Sequence, residues 1–157
     1  MELTPDWDCV ADTVMGGVSR ARIASVREED RDATRLTGQV SLENDGGFVQ
    51  MATDLGPHGS ACDASAFTGV RIDVKGNGET YEVRLRTTNL TRPWQSYRAA
   101  FEAPAIWTTL DFPFADFVPH RTDRPFDPAR LRRIGILAIG KVMRVDIAVS
   151  RLALYCD

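Results

Sequence analysis

The chain has 157 residues, and one domain of that length can bury about 70% of the surface that its unfolded chain exposes. Hydrophobic residues make up 43% and charged residues 26% of the chain, a balance typical of a globular protein and not of a disordered or fibrous one. The net charge of -3, with arginines scattered among acidic residues, argues against nucleic acid as a partner.

The cysteines and the first ten residues indicate the cellular compartment in which the protein works. Cys9, Cys62 and Cys156 form neither an even disulfide set nor a metal-ligand spacing with His58 or His120. The first ten residues lack the basic start and apolar stretch of a secretory signal, and no stretch resembles a membrane span. We therefore expect a reduced, cytoplasmic protein without a membrane span, a cofactor or a metal.

The stretch DTVMGGVS, residues 12–19, is the least ordinary part of the chain and follows Trp7. Adjacent Gly16 and Gly17 permit unusual backbone angles or close approach of another surface, and Met15 offers a flexible apolar contact. No GxGxxG or GxxxxGK[ST] frame is present, which argues against a phosphate loop. Two interpretations stay open: a tight turn packed beside a tryptophan, and a partner-binding loop.

Alternation of apolar and polar residues predicts strands on both sides of two glycine-containing turns. The paired runs are RLTGQVSL at 35–42 with FVQMAT at 48–53, and GVRIDVK at 69–75 with TYEVRLRTT at 80–88. The first pair flanks Asn44 to Gly47 and the second flanks GNG at 76–78. Because Asn and Gly tolerate the positive φ of tight turns, each pair is predicted to form a β-hairpin.

Four further runs have strand character: SYRAAFEA at 96–103, IWTTLDF at 106–112, IGILAIG at 134–140 and VDIAVSRLALY at 145–155. In the last run the alternation shifts near Ser150 and Arg151, as at a β-bulge. One helical piece is predicted, DPARLRR at 127–133, with Asp127 as N-cap and Pro128 in the first helical position. Eight or nine strands predict an all-β sandwich or jelly roll in one domain, residues 1–157, with at most one or two short helical turns.

Side chains suited to catalysis or metal binding lack the patterns that such sites need. Neither His58 nor His120 has a GxSxG elbow or a cysteine at a suitable spacing. Glu43, Asn44 and Asp45 could contribute oxygen ligands to calcium, but the spaced pattern of a calcium loop is missing and turns favour the same residue types. We expect no catalytic set and no metal site.

Three aromatic residues, Trp94, Tyr97 and Trp107, are candidates for ligand contact. Trp94 follows a proline in a predicted loop, where an exposed indole would provide a large and rigid contact surface. A tryptophan buried over the mouth of the sandwich is the alternative. With Arg98 and Asn44, Trp94 forms the candidate set for a carbohydrate.

Segments along nearly the whole chain resemble the complex I intermediate-associated protein 30 domain. In order they are Trp7 followed by DTVMGGVS, then GQVSLENDGGF, FTGVRIDVKGNGETYEVRLR, SYRAAF, Trp107 with LDFPFADFVP, RIGILAIG and VDIAVSRL. The resemblance implies a galactose-binding-type jelly roll without established catalytic residues. It also implies an assembly factor for respiratory complex I, and the lack of a mitochondrial targeting segment favours a bacterial member. The chain departs from the family at HRTDR after Pro119 and at the compact KVMR, 141–144.

The expected function is a non-catalytic protein-interaction or assembly-factor domain whose partner is a complex I subunit or assembly intermediate. A carbohydrate-binding module that uses one loop end is the alternative, and a small-ester or glycoside hydrolase is a third class. The candidate partner- or ligand-binding residues are Asp12, Met15, Gly16, Gly17, Ser19, Glu43, Asn44, Gly46, Gly47, Phe48, Trp94 and Arg98.

Overall fold

A computed structural model describes residues 1–157, except for the side chains of Val14, Met15 and Asp45. The described chain forms strands β1 (Asp8–Ala11), β2 (Arg20–Glu28), β3 (Arg31–Val40), β4 (Phe48–Asp54), β5 (Gly69–Gly76), β6 (Thr80–Thr87), β7 (Ser96–Glu102), β8 (Thr108–Pro113), β9 (Val118–His120), β10 (Leu131–Ile139) and β11 (Met143–Tyr155). No helix in this described part is long and apolar enough to cross a membrane.

The strands form two antiparallel sheets that face each other. One has six strands in the order β1-β4-β10-β6-β7-β9, and the other has five in the order β2-β3-β11-β5-β8. Alternate side chains of both sheets, such as Val83 and Leu85 of β6 and Ile72 of β5, are fully buried between them. The all-β sandwich expected from the alternation is therefore confirmed.

The predicted hairpin around residues 76–78 is wrong in its pairing, although both strands exist. Strand β5 pairs with β11 and β8, whereas β6 pairs with β10 and β7, so the turn carries the chain from one sheet to the other. Gly78 has a φ of +79°, as the turn chemistry predicts. Alternation reports which face of a strand is buried, and facing strands of two sheets bury the same interior, so the pattern does not distinguish the two arrangements.

The predicted hairpin around residues 44–47 is wrong for the same reason. Strand β3 belongs to the five-stranded sheet and β4 to the six-stranded sheet. The positive φ values are nevertheless present, 56° at Asn44 and 137° at Gly47. These angles turn the chain sharply between the sheets rather than within one of them.

The true hairpin in this part of the chain joins β2 to β3 through Glu29 and Asp30, whose φ values are 50° and 63°. The sequence pattern does not predict β2, because an edge strand leaves several of its alternating positions partly exposed. The short strands β1 and β9, also at sheet edges, are too short to show a period.

Two local predictions in the last third of the chain are confirmed. The register of β11 against β5 shifts between Val149 and Arg151, which is the bulge that the alternation predicts. The side chain of Asp127 caps a turn by accepting a hydrogen bond of 3.0 Å from the N–H of Ala129. Both features depend on neighbouring residues, which a sequence pattern can report.

The number of helical turns differs from the expected one or two. The described chain has five single 3-10 turns: Asp12–Met15, Glu43–Asp45, Pro57–Gly59, Phe114–Asp116 and Pro128–Arg130. Each is closed by local backbone bonds, such as the 3.0 Å bond from the Gly46 N–H to the Glu43 carbonyl. Segments of three or four residues have no detectable periodicity, so they escape prediction.

The strand directions define two ends of the sandwich. We call the end formed by residues 12–19, 41–47 and 140–142 the Asp12 end. The opposite end, formed by residues 88–95 and 121–130, is the Trp94 end. Strands β4 and β10 are antiparallel and run between the two ends, since Phe48 pairs with Ile139 and Asp54 pairs with Arg133.

Candidate functional site

The carboxylate of Asp12 joins the two loops that the sequence singles out. Asp12 is fully buried and accepts backbone N–H bonds from Ser19 at 3.0 Å, Gly47 at 2.5 Å and Phe48 at 3.2 Å. The Ser19 hydroxyl also donates to it. A buried carboxylate with this many donors holds residues 12–19 against residues 41–48.

Two glycines leave the space that this carboxylate occupies. A Cβ on Gly17 or on Gly46 would lie 2.5 Å from side-chain atoms of Asp12. Gly16, by contrast, has a φ of +87° and faces open space. The paired glycines of the two motifs therefore serve different needs, close packing at Gly17 and Gly46 and a left-handed backbone at Gly16.

Opposing effects act on the pKa of Asp12. Burial raises the pKa of this carboxyl, but the hydrogen bonds from Ser19, Gly47 and Phe48 together outweigh burial and lower the pKa below its usual value. The carboxylate is therefore charged at neutral pH. Its charge is balanced by oriented N–H groups and a hydroxyl.

The Ser19 hydroxyl extends the same network to the end of β3. While its proton is donated to Asp12, its oxygen accepts a 2.9 Å bond from the N–H of Ser41. Ser19 is itself buried. Ser19 therefore links the loops and does not face solvent.

The predicted residues at the Asp12 end thus divide by exposure. Buried residues are Asp12, Gly17, Ser19 and Gly47; half-buried are Gly46 and Phe48; exposed are Gly16, Glu43 and Asn44. The side chain of Met15 lies outside the described residues. The buried members lie within the contact between the loops, and the exposed members face solvent.

Four exposed apolar side chains surround these loops and were not predicted from the sequence. They are Val18, 42% exposed, Leu42, 48%, Ile139, 38%, and Val142, 64%. Backbone contacts join some of their segments. Ile139 pairs with Phe48, and the N–H of Gly140 donates a hydrogen bond of 3.0 Å to the carbonyl of Gly47. Apolar residues directly beside the glycine turns were the sequence signal that could have identified this surface.

A shallow hollow of about 250 Å³ adjoins this surface on the outer face of the six-stranded sheet. Leu137 and Ile139 of β10 line one side of the hollow, and Thr80 and Glu82 of β6 line the other. Lys141 stands at its edge and forms a 3.0 Å ion pair with Glu79. The hollow therefore combines apolar and charged walls.

The structure does not bring together the candidate carbohydrate set of Trp94, Arg98 and Asn44. Trp94 is 58% exposed at the Trp94 end, where the guanidinium of Arg92 lies 6.0 Å from its ring centre. Arg98 is exposed on the outer face of β7, and Asn44 lies at the Asp12 end. The seven residues of β4 separate the two ends, a distance that sequence order does not reveal.

The other two aromatic candidates have structural contacts. Tyr97 is buried, and its hydroxyl donates a 3.0 Å bond to the carbonyl of Arg124. Trp107 is half-buried beneath the guanidinium of Arg31, which lies 5.1 Å from its ring centre. The described histidines, cysteines and acids include no group of three or more placed to hold a metal ion.

The fold is similar to that of solved carbohydrate-binding modules. The family 11 module of the cellulosomal cellulase Lic26A-Cel5E of Clostridium thermocellum aligns with a TM-score of 0.76 at 13% identity, over 98% of this chain and 89% of that one. The family 30 module of the cellulase Cel9D-Cel44B of the same organism aligns with a TM-score of 0.72 at 14% identity, over 100% and 95%. At such identities the likeness establishes a shared fold.

The family assignment comes from the sequence. No curated protein matches the chain. A family profile described as Complex I intermediate-associated protein 30 (CIA30) matches residues 1–148, nearly the whole length, including the Asp12 end with both glycine motifs. The chain therefore belongs to the complex I intermediate-associated protein 30 family.

Proposed function

We propose that this domain is a non-catalytic protein-binding domain and that its partner is a subunit or assembly intermediate of respiratory complex I. The family description supports the identity of the partner. The apolar surface at the Asp12 end supports protein binding. We place this activity in the bacterial cytoplasm, in line with the expectation from the sequence.

The observation that carries the proposal is the presence of four exposed apolar side chains in or directly beside the segments of the Asp12 end. Among the described side chains, eight large hydrophobic residues are exposed, and Val18, Leu42, Ile139 and Val142 lie around the Asp12 loops. Grouped apolar residues on a protein surface are typical of a protein interface, whereas scattered ones are ordinary. Exposed polar groups of Glu43 and Asn44 beside them would form the rim of such an interface.

The Asp12 network supports the same proposal. Binding is weakened when a loop must be ordered on contact, and a preformed loop avoids that cost. The carboxylate bonds from Gly47 and Ser19 hold both loops in one arrangement before any partner arrives. Met15 stays part of the predicted surface on the grounds of its sequence position.

The experiment is quantitative co-purification of complex I subunits with the domain from membranes of a host that carries the protein. We expect a Leu42→Asp, Val142→Asp double variant to lose most of the captured complex I subunits and to keep its melting temperature. Ile106→Asp is the matched control, because Ile106 is 72% exposed and lies outside the surface. Equal capture by the double variant and the wild type would contradict the proposal.

Carbohydrate binding is the second candidate function, and the exposed indole of Trp94 favours it. Sugars pack against exposed aromatic rings, and this ring is 58% exposed. A solved relative in fold was determined in complex with a β-1,3-1,4-mixed-linked tetrasaccharide. Calorimetric titration with that tetrasaccharide tests the candidate, with Trp94→Ala expected to abolish the heat of binding; no heat with the wild type would remove it.

A further inference from the structure

Two arginines stand directly opposite each other on the outer face of the six-stranded sheet. Arg84 of β6 and Arg98 of β7 are register partners, and neither points into the interior. Like charges placed directly opposite in a sheet repel each other and destabilise it. An anion bound between the two guanidinium groups would reduce this repulsion.

The charge of Arg84 is only partly met within the chain. Its Nε lies 2.6 Å from Oε1 of Glu82, and its Nη1 donates a 3.1 Å bond to the hydroxyl of Ser96. The side chain is only 11% exposed, and its Nη2 is buried without a hydrogen-bond partner. A buried N–H that lacks a partner costs free energy that an added acceptor would recover.

The charge of Arg98 has no counterpart among the described ion pairs. Arg98 is exposed, and its register partner on the other side is Val118 of β9, which is 58% exposed. Ser96, which accepts the Arg84 bond, is paired with His120. One outer patch therefore contains two guanidinium groups, an imidazole and an apolar side chain.

The imidazole of His120 adds a neutral group to this patch. Burial lowers the pKa of His120, and the nearby Arg84, Arg98 and Arg121 lower it further, against a small opposing effect of Glu82. A neutral imidazole can both donate and accept a hydrogen bond. It therefore complements the guanidinium groups without adding a third charge between them.

The chemistry of the patch selects for a carboxylate. A guanidinium presents paired N–H groups that match the two oxygens of a carboxylate, and such bonds are about twice as strong as neutral ones. The overall charge of -3 disfavours long polyanions. Pro119 has no N–H to donate in the edge strand β9, so a peptide strand would gain little there, whereas a small ligand on the face contacts side chains alone.

We propose that Arg98, Arg84 and His120 form a binding site for the carboxylate group of a small acid, either a sugar acid or a simple organic acid. Val118 contacts the carbon skeleton beside the carboxylate, and Glu82 keeps Arg84 in place. The site lies on the face of the six-stranded sheet and is separate from the apolar surface at the Asp12 end. The proposal of this site does not depend on whether the domain binds complex I.

The test is calorimetric titration and amide chemical-shift mapping of the full chain with galacturonate and with citrate. We expect binding of at least one acid, with shifts at residues 84, 98 and 120. Arg98→Gln should weaken that binding by at least about tenfold, since charge-assisted bonds are lost. Arg22→Gln, an exposed arginine on β2 in the other sheet, is the matched control and should bind as the wild type does.

The two acids distinguish the sources of the carboxylate, because only a sugar acid has a ring to pack against Val118. Galactose, which lacks the carboxylate, should not bind. The proposal is overturned if neither acid binds, or if Arg98→Gln and Arg22→Gln have equal affinity. Tighter, Arg98-dependent binding of a glutamate-rich peptide would also overturn it, since the site would then recognise a protein.

Discussion

The carboxylate of Asp12 accepts a 2.5 Å hydrogen bond from the backbone N–H of Gly47, a residue 35 positions further along the chain. This bond makes one structural unit of two motifs that look independent in the sequence. The loop before β2 and the loop before β4 share one buried charge. Changes to either motif are therefore expected to affect the other.

Asp12→Asn should destabilise the fold. The substituted amide keeps the shape of the carboxylate but loses its charge, and its NH₂ group would face the backbone N–H groups of Ser19 or Gly47. We expect the free energy of unfolding to fall by about 2–4 kcal/mol, measured by urea unfolding at pH 7. Asp123→Asn, at an exposed position, is the control, and an equal effect of the two would contradict the role of Asp12.

The same carboxylate predicts a dependence of stability on pH. Because its pKa is lower in the folded chain than in the unfolded chain, Asp12 stabilises the fold above the unfolded pKa of about 4 and this stabilisation is lost as pH falls through the folded value. The difference in unfolding free energy between wild type and Asp12→Asn should thus shrink below about pH 4. A difference that stayed constant from pH 7 to pH 3 would argue against a charged Asp12.

Neighbouring glycines should differ in their tolerance of alanine. A Cβ on Gly17 would lie 2.5 Å from Asp12, so Gly17→Ala must displace the carboxylate and should cost about 1–3 kcal/mol. Gly16→Ala meets no atom within 4 Å and should cost about 1–2 kcal/mol for left-handed strain alone. Adding Asp12→Ala, which removes the two atoms that lie 2.5 Å from the new Cβ, should reduce the cost of Gly17→Ala and leave that of Gly16→Ala unchanged, which a double-mutant cycle measures.

Tyr81 should make the fold sensitive to alkali. Burial raises the pKa of Tyr81 to about 12. Its hydroxyl donates a hydrogen bond of 2.8 Å to the side-chain oxygen of Asn77 and accepts one of 3.0 Å from the N–H of Asp146. Since the folded pKa exceeds the unfolded value of about 10, stability should fall as pH rises from about 10 to 12.

Absorbance titration of tyrosinate together with urea unfolding checks this expectation. Tyr81→Phe should lose about 1–2 kcal/mol at pH 7, because two polar partners on β11 and the β5–β6 turn lose their bond. It should also remove part of the alkaline loss of stability. A wild-type and a Tyr81→Phe curve that run parallel from pH 9 to 12 would contradict it.

The sequence by itself determined the local features of this protein. Alternation identified the buried face of β6 through Tyr81 and Leu85, and turn chemistry identified the positive φ of Gly78. The bulge between Val149 and Arg151 also followed from the pattern. These features are predictable because each depends on the backbone preferences and spacing of adjacent residues. The motifs also identified the family.

Only the tertiary structure decided which strands pair and what the conspicuous residues do. Both predicted hairpins are connections between the two sheets. The alternation of apolar and polar residues did not reveal this, because strands of either sheet bury one face against the same interior. Asp12 links two loops because it binds residues as distant in the chain as Gly47. Arg84 and Arg98 lie opposite each other because of the register between β6 and β7. Such contacts join residues far apart in the chain, so no local pattern of hydrophobicity or turn chemistry specifies them.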